Sequence, residues 1–149
     1  MRWFHGLQHP VTGVDISADA VGALASLGET LVADLEAGPW PLAGREFAAV
    51  VVTNYLWRPL LPTLVASVAP GGVLLYETFA AGNETIGRPA RPDFLLRPGE
   101  LLQTCAALRV VAYEDGFLEN PARYVQRIAA VRAPLHGDGA FLSPGRLAV

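Results

Sequence analysis

The sequence contains one cysteine, Cys105, and no apolar run long enough to cross a bilayer. A single cysteine excludes a disulfide within the chain, and the opening residues MRWFHGLQHP lack the apolar segment of a secretory signal. A membrane-spanning helix needs about 20 apolar residues, whereas the apolar runs here are interrupted at Asn54 and Glu77. We therefore expect a cytoplasmic protein that does not contact a membrane.

Motifs that mark several kinds of chemistry are also missing. The sequence has no phosphate-binding P-loop and no GxSxG nucleophile elbow. The net charge of -3, with arginines and acids interspersed, provides no basic face, so we expect no nucleic-acid partner. His5 and His9 have no acid or cysteine at ligand spacing, so we predict no metal site. Cys105 lies in an apolar segment, which favours a buried thiol over a nucleophile.

What the sequence does contain is a series of short, β-branched apolar runs, as expected for strands covered on both faces. Ser17 stands where a helix N-cap belongs and Gly28 where that helix ends, which predicts a strand, helix, strand unit with parallel pairing. The continuous apolar run Phe47–Asn54 is typical of the middle of a parallel sheet. The predicted strands of this first part are Val11–Ile16, Glu29–Leu35, Phe47–Asn54 and Val73–Phe79.

The second half of the chain predicts a different arrangement. A helix is expected from about Pro59 to Val68, ended by the PGG of residues 70–72. Residues 80–98 form a long loop, a kind of segment that is usually functional or mobile. A short helix over residues 99–108 then precedes two strands, 109–118 and 124–133. Their connection is too short for a crossover, so they should form an antiparallel hairpin.

Four stretches now stand in order: VTGVDIS, VADLE, VVVTNYLWRPLL and APGGVLLYETF, followed by a helix and a hairpin. From about Arg2 to Arg132 this order resembles the class I S-adenosylmethionine-dependent methyltransferases, and in particular the small bacterial type related to tellurite-resistance methyltransferases. The resemblance implies an α/β, Rossmann-like sheet of seven strands with helices on both faces, mostly parallel, with an antiparallel last strand. It also implies that residues 1–133 form the methyltransferase domain and that residues 134–149 are an irregular tail.

The domain is expected to be incomplete. In the family resembled, a first strand and a glycine-rich turn precede the segment that matches RWFHGLQHPVTGVDIS, and this sequence does not contain them. That first strand is central in the family's sheet, between the strands predicted here at Val11–Ile16 and Phe47–Asn54. The stretch RWFHGLQ accordingly resembles the end of the helix that follows the glycine turn.

Two acids at predicted strand ends are the first candidate cofactor contacts. Ligands of open α/β sheets bind at the carboxyl ends of the strands, where Asp15 can accept hydrogen bonds from both ribose hydroxyls. The resemblance implies that Asp34 accepts from the adenine amino group and that Ile16 and Leu35 pack against the base. The alternative interpretation is that both acids only form turns and that both apolar residues belong to the core.

The segment after the central strand supplies the remaining candidates. The resemblance places Asn54 near the cofactor sulfonium, and Tyr55 and Trp57 can present aromatic faces to that cation or to the substrate. Glu77, on the same predicted edge, either orients a substrate or pairs with an arginine of the long loop. Tyr55 and Trp57 are equally compatible with covering the sheet.

The function implied is methyl transfer from S-adenosylmethionine to a small-molecule acceptor that the sequence does not identify. No catalytic residue is assigned, because a soft nucleophile needs no general base, whereas an oxygen or nitrogen nucleophile would need one such as Glu77. Two alternatives stay open. One is a truncated or degenerate module that does not catalyse and self-associates through the strand edge left by the missing first strand. The other is an NAD-binding Rossmann protein, which accounts for Asp15 but not for the terminal hairpin.

Overall fold

The computed structural model describes residues 1–134. The chain divides into two compact units, Met1–Gly44 and a second unit that begins at Arg45. Its strands form two separate sheets, one of two strands and one of four. The family's seven-stranded sheet was expected here without its first strand, and the described residues form six strands, divided between these two sheets. The irregular tail predicted from residue 134 lies, apart from Pro134, outside the described residues.

The first unit is built on a strand, helix, strand repeat. Strand β1 pairs in parallel with β2, and Asp15 lies opposite Val32, which confirms the predicted parallel pairing. Ser17 is the N-cap of α2, as predicted: its Oγ accepts a hydrogen bond from the Ala20 amide at 3.2 Å. The elements are α1 (Arg2–Gly6), β1 (Thr12–Asp15), α2 (Ala18–Gly22) and β2 (Glu29–Val32).

Two expectations for this unit need correction. Strand β2 ends at Val32, so Asp34 lies in the turn beyond the strand and not within it. Helix α2 is shorter than the predicted helix and is followed by a separate 3-10 turn at Ala25–Leu27. The reason is local, because Gly22 ends the helical run before the apolar residues that follow it.

The second unit is a four-stranded sheet in the order β3-β4-β6-β5. Strands β3 and β4 are parallel, and β6 is antiparallel to both of its neighbours, β4 and β5. The last two strands thus form an antiparallel hairpin, with the final strand inserted between β4 and β5. The elements are β3 (Phe47–Thr53), α3 (Leu61–Ala66), β4 (Val68–Phe79), α4 (Glu100–Thr104), β5 (Arg109–Glu119) and β6 (Ala122–Val131).

The apolar run of strand β3 predicts a position in the middle of a parallel sheet, and this prediction is wrong for the described residues. Among the described residues it pairs with β4 on one side, and it forms an edge of the four-stranded sheet. Its residues Ala48, Val51 and Thr53 are exposed. The apolar composition of β3 predicted a strand that is covered on both faces and paired on both sides. Pairing on both sides needs a second neighbouring strand, which the composition of β3 itself does not supply.

The PGG motif belongs to the strand rather than to the end of the helix. Strand β4 already begins at Val68, and the register with β3 shifts between Phe47 and Ala49. Gly71 has a φ of 77°, and a Cβ on Gly72 would meet the backbone oxygen of Phe47 at 2.9 Å. Only glycine allows the backbones of β3 and β4 to approach this closely at the shift.

The core of the second unit lies on one face of its sheet. Alternate residues of β4 are buried there, whereas their neighbours on the other face are half-buried. Helices α3 and α4 cover the buried face with Leu61, Leu64, Val65 and Leu101. Cys105, just beyond α4, is fully buried, which confirms the predicted buried thiol, and burial raises the pKa of this thiol to about 11. Within residues 1–134 no helix has the length and apolar character needed to span a membrane.

Candidate functional site

The candidate residues of the first unit meet at the carboxyl edge of its sheet. Asp15 is the last residue of β1, and its carbonyl accepts a hydrogen bond from the Ala33 amide at 3.0 Å. That bond places Asp34, the next residue, beside the end of β1. Parallel pairing brings the two carboxylates to one edge because the carboxyl ends of parallel strands coincide.

Both carboxylates also organise their own turns. Oδ1 of Asp15 accepts from the Ser17 amide at 2.8 Å, and Oδ1 of Asp34 accepts from the amides of Glu36 and Ala37 at 2.9 and 3.0 Å. Both acids are exposed. Both aspartates therefore do form turns, as the alternative interpretation expected. These turns use only Oδ1 of each carboxylate, so they are compatible with a ligand that binds the other oxygen.

An apolar residue follows each acid. Ile16 is 67% exposed, whereas Leu35 is partly buried. An isoleucine left this open to water gains burial whenever a flat apolar group covers it. The edge of the first unit thus presents two carboxylate acceptors with apolar surface beside them.

The candidates of the second unit follow β3 and β4. Thr53 lies opposite Glu77 in the register, and the Asn54 amide donates to the Glu77 carbonyl at 2.9 Å. Asn54 has a φ of 54°, in the left-handed region that few residues other than glycine adopt. The strand therefore ends in a sharp turn that leaves the Asn54 side chain exposed.

A buried tyrosine holds the backbone after this turn. The Tyr76 hydroxyl donates to the Tyr55 carbonyl at 2.8 Å, and Tyr76 is 2% exposed. Burial raises the pKa of Tyr76, so it remains a donor at neutral pH. Tyr55 and Trp57 are both half-buried, so each keeps part of its surface accessible.

Glu77 pairs with arginines, but not with those of the long loop. Its Oε1 lies 2.8 Å from Nη2 of Arg123, and its Oε2 lies 3.5 Å from Nε of Arg127. Both partners come from β6. The expectation of a loop arginine is wrong because β6, the last strand in sequence, inserts beside β4, which places Arg127 opposite Glu77 and brings the Arg123 side chain within hydrogen-bond distance of it.

The sequence analysis overlooked several polar side chains that the fold brings together. Arg58 and Glu100 form a part-buried ion pair, and Gln126 and Asn83 are buried side-chain amides. One signal was available: Gln126 interrupts an apolar strand at a position whose neighbours in alternation, Ile128 and Ala130, face the core. A polar residue at such a position needs a hydrogen-bond partner.

His5 and His9 do not lie on one helix. Helix α1 ends at Gly6, so His9 lies beyond it. In the part of the chain that the structure describes, no group of three or more histidine, cysteine, aspartate or glutamate side chains is arranged to hold a metal ion.

Comparisons with known proteins identify the fold. No protein-family model matches the sequence, and no curated protein matches it either. Solved structures do match: TehB from Haemophilus influenzae has 18% identity and a TM-score of 0.68 over 88% of this chain. A S-adenosylmethionine-dependent methyltransferase from Methanosarcina mazei has 13% identity and a TM-score of 0.66 over 89% of this chain and 86% of its own.

A third match is the N-methyltransferase NodS from Bradyrhizobium japonicum, with 16% identity and a TM-score of 0.62 over 83% of this chain and 74% of its own. NodS has also been crystallised with S-adenosylhomocysteine. The chain spans 52% of the TehB chain. The described residues therefore have the class I methyltransferase fold, as the sequence predicted.

Proposed function

We propose that the protein transfers a methyl group from S-adenosylmethionine to a small-molecule acceptor. The observation that carries this proposal is a pair of exposed acids at the carboxyl edge of two parallel strands, in a chain with the methyltransferase fold: Asp15 ends β1, and Asp34 follows the end of β2. Fold alone does not determine a reaction, so the proposal depends on these residues. The NodS complex with S-adenosylhomocysteine supports the choice of cofactor.

The first unit is assigned to the adenosine part of the cofactor. Asp15 accepts from the ribose hydroxyls, Asp34 accepts from the adenine amino group, and Ile16 and Leu35 contact the ring. Ile16, the residue after Asp15, is 67% exposed, and Leu35, the residue after Asp34, is partly buried. A bound nucleoside uses the acids and the apolar residues at once, since it hydrogen-bonds at its polar edge and buries apolar area on its faces.

Following the resemblance, Asn54 is kept as a candidate contact of the sulfonium, and Tyr55 and Trp57 as tentative contacts of the acceptor. S-adenosylmethionine supplies an electrophilic methyl group, and its sulfur leaves as a neutral thioether. The residues therefore have to align a nucleophile and exclude water rather than stabilise a leaving anion. Asn54 offers an uncharged amide, and Tyr55 and Trp57 offer aromatic faces to a cation.

Glu77 is kept as a tentative substrate contact but not as a general base. Its Oε1 already accepts from Arg123 at 2.8 Å, and its Oε2 lies 3.5 Å from Nε of Arg127. Both oxygens of the carboxylate are thus already engaged by arginines of β6 and not directed only at a substrate. We therefore propose an acceptor that ionises without help, such as a thiol, in preference to an alcohol or amine.

The cofactor assignment is tested by calorimetric titration with S-adenosylmethionine and, separately, with NAD. Asp15→Asn should weaken S-adenosylmethionine binding by about tenfold or more, because hydrogen bonds to a charged group are among the stronger ones. Asp19→Asn, an exposed acid in the first turn of α2, is the matched control and should bind as the unchanged protein does. Heat with NAD alone would favour the Rossmann alternative, and heat with neither ligand would refute both.

A second form of the titration addresses the glycine-rich turn. A chain extended at its N-terminus by a strand and a Gly-x-Gly turn should bind S-adenosylmethionine more tightly than the 149-residue chain. The turn supplies backbone amides to the methionine end of the cofactor in the family resembled. Equal affinity of the two chains would show that this part of the resemblance does not apply.

The second candidate function is self-association through β3, favoured by the contrast between the two edges of the four-stranded sheet. Edge strand β5 carries Arg109, Glu114 and Asp115 and a register shift at Val110, features that discourage pairing with another chain. Edge strand β3 carries only apolar residues and one threonine, and Val51 is 46% exposed. Antiparallel pairing of two β3 strands would place apolar residues opposite apolar residues.

Light scattering after size-exclusion chromatography tests this candidate. Val51→Lys should shift the protein toward a monomer, because a charge on an edge strand opposes pairing. Val111→Lys on β5, where the valine is 58% exposed, is the matched control and should leave the mass unchanged. A monomeric mass for the unsubstituted chain at all concentrations would exclude association through β3.

A further inference from the structure

The loop between β4 and α4, residues 81–98, has little regular structure, but backbone hydrogen bonds hold residues near its beginning and its end. Its two short 3-10 turns are Asn83–Thr85 and Pro92–Phe94. Backbone bonds join Ala81 to Leu96 and Leu96 to Phe79, each at 2.9 Å, so the returning strand of the loop lies along the end of β4. We call residues 81–98 the connecting loop.

Arg58 makes the most extensive contact with this loop. Its Nη1 donates to the Asp93 carbonyl at 2.9 Å, and its Nη2 donates to the Leu95 carbonyl at 2.8 Å. The same guanidinium binds Glu100 with Nε at 2.7 Å and Nη2 at 2.9 Å. Four bonds from one planar group fix the loop and the start of α4 in a single geometry, which a lysine ammonium cannot reproduce.

Glu100 is the acidic partner of Arg58, and we call the Arg58–Glu100 ion pair together with its hydrogen bonds to the connecting loop the clasp. Its Oε2 also accepts from the Arg97 amide at 2.8 Å, and its side chain is 14% exposed. Burial tends to raise the pKa of Glu100, but the hydrogen bonds from Arg58 and Arg97 outweigh burial and the pKa is lowered. The carboxylate is therefore charged, and the ion pair with Arg58 is intact, at neutral pH.

Two buried side-chain amides, one on β6 and one within the loop itself, hold the loop at other points. Gln126, fully buried on β6, donates to the Arg97 carbonyl at 2.6 Å and accepts from the Leu101 amide at 3.2 Å. Asn83, 2% exposed, donates to the Pro89 carbonyl at 3.0 Å and accepts from the Tyr124 amide at 3.2 Å. Each amide uses both its donor and its acceptor, so moving the loop would leave buried polar groups unsatisfied.

Arg58 is also the residue that follows Trp57, in the segment assigned to the acceptor. We propose that Arg58 is a positioning residue: through Glu100 and the carbonyls of Asp93 and Leu95 it fixes the connecting loop beside Tyr55 and Trp57, so that the loop is a preformed wall of the acceptor site and not a lid that closes on it. This inference rests on the proposed function for the role of the wall, whereas the clasp itself is independent of that function. A preformed wall spares the acceptor the entropic cost of ordering the loop.

The test compares Arg58→Lys with Arg91→Lys. Arg91 lies in the same loop and pairs with Asp93 at 2.8 Å, but both side chains are 72% exposed, so this substitution is the matched control. Amide hydrogen exchange is measured first, without any ligand. In the unsubstituted protein the amides of Ala81 and Leu96 should exchange slowly, and Arg58→Lys should accelerate them by about tenfold or more, as expected for the loss of charge-assisted bonds. Arg91→Lys should leave them unchanged.

Methyl transfer to dithiothreitol, a soft thiol probe, then separates positioning from mere stability. Arg58→Lys should raise KM for the thiol by about fivefold or more with a smaller change in kcat, and it should leave the calorimetric Kd for S-adenosylmethionine within about twofold. A purely structural role would lower the folded fraction, and hence apparent kcat, without changing KM.

Three results would overturn the proposal. Fast exchange at Leu96 in the unsubstituted protein would show a mobile loop. Equal exchange in Arg58→Lys and Arg91→Lys would show that Arg58 does not hold it. Faster exchange with an unchanged thiol KM would reduce Arg58 to a structural role. If the unsubstituted protein binds no S-adenosylmethionine while the exchange result holds, the proposed function fails and the clasp does not.

Discussion

At the scale of single residues, Asn54 combines an unusual backbone with a side chain assigned to ligand binding. Its φ of 54° is one that asparagine adopts more readily than most residues, because its short polar side chain can bond locally. The roles of the Asn54 backbone and side chain can be separated by two substitutions, to glycine and to alanine, that both remove the side-chain amide. Glycine accepts the left-handed conformation without cost, whereas alanine does not.

We expect the free energy of unfolding of Asn54→Ala to be about 1 kcal/mol lower than that of Asn54→Gly, because only alanine is strained at this φ. The alanine variant should therefore unfold at a lower urea concentration. Urea unfolding followed by circular dichroism measures the difference. Both variants should lose affinity for S-adenosylmethionine to a similar extent if the amide contacts it. A loss in the alanine variant alone would assign the effect to backbone strain.

Gly72 provides a second residue-scale prediction. Gly72→Ala should destabilise the protein by about 1 to 3 kcal/mol, because the new Cβ would meet backbone oxygens of Phe47, Ala48 and Ala69 between 2.8 and 3.0 Å. Gly116→Ala in β5 is the control, since a Cβ there meets nothing within 4 Å, and it should be neutral or slightly stabilising. Equal midpoints in urea for the two variants would contradict the close approach of β3 and β4.

At the scale of elements, the Arg58–Glu100 pair joins α4 to the segment after β3 and has a predictable pH dependence. The pKa of Glu100 is lowered in the folded protein, so the unfolded chain takes up the proton first as the pH falls. The stability contributed by Glu100 is therefore complete above the ordinary pKa of 4.5 and is lost as the pH falls through the lower folded value.

Glu100→Gln should lower the melting temperature at pH 7 and flatten its fall below about pH 4.5, since the neutral amide has no proton to take up. Melting curves from pH 7 to pH 3 measure both effects. Glu119→Gln, an exposed glutamate at the end of β5, is the control and should keep the slope of the unsubstituted protein. An unchanged slope in Glu100→Gln would mean that other acids govern acid unfolding.

At the scale of the whole molecule, the buried apolar residues are divided unequally between the two units. Among the described residues, the first unit contributes two buried apolar residues, Val21 and Leu42. All other buried apolar residues lie in the second unit. A two-stranded sheet with so small a core is marginal in water. The unit that carries Asp15 and Asp34 is thus the less stable one.

We expect amides of the β1–β2 ladder to exchange faster than those of the β4–β6 ladder in the full chain, because local unfolding of the first unit exposes little apolar surface. Amide hydrogen exchange resolved by NMR measures both ladders in one sample. Added S-adenosylmethionine should slow exchange in β1 and β2 if it binds there. Uniform exchange across both sheets would show that the units unfold together.

The local features of this chain were predictable because neighbouring residues cause them. Ser17 caps α2, β1 and β2 pair in parallel, Cys105 is buried, and the acids at 15 and 34 stand at strand ends or just beyond them. Each follows from apolar periodicity, cap chemistry or burial preference within a short window. The order of these features also sufficed to indicate the methyltransferase fold.

Tertiary structure alone decided which distant residues meet. Glu77 pairs with Arg123 and Arg127, 46 residues away in the case of Arg123, because β6 inserts beside β4. Arg58 reaches Glu100, 42 residues further on, and β3 lies at a sheet edge although its composition is that of a central strand. Such contacts depend on strand order and register, which sequence periodicity does not encode: the valine run of β3 specifies a strand, but not which strands lie beside it or how far it is buried.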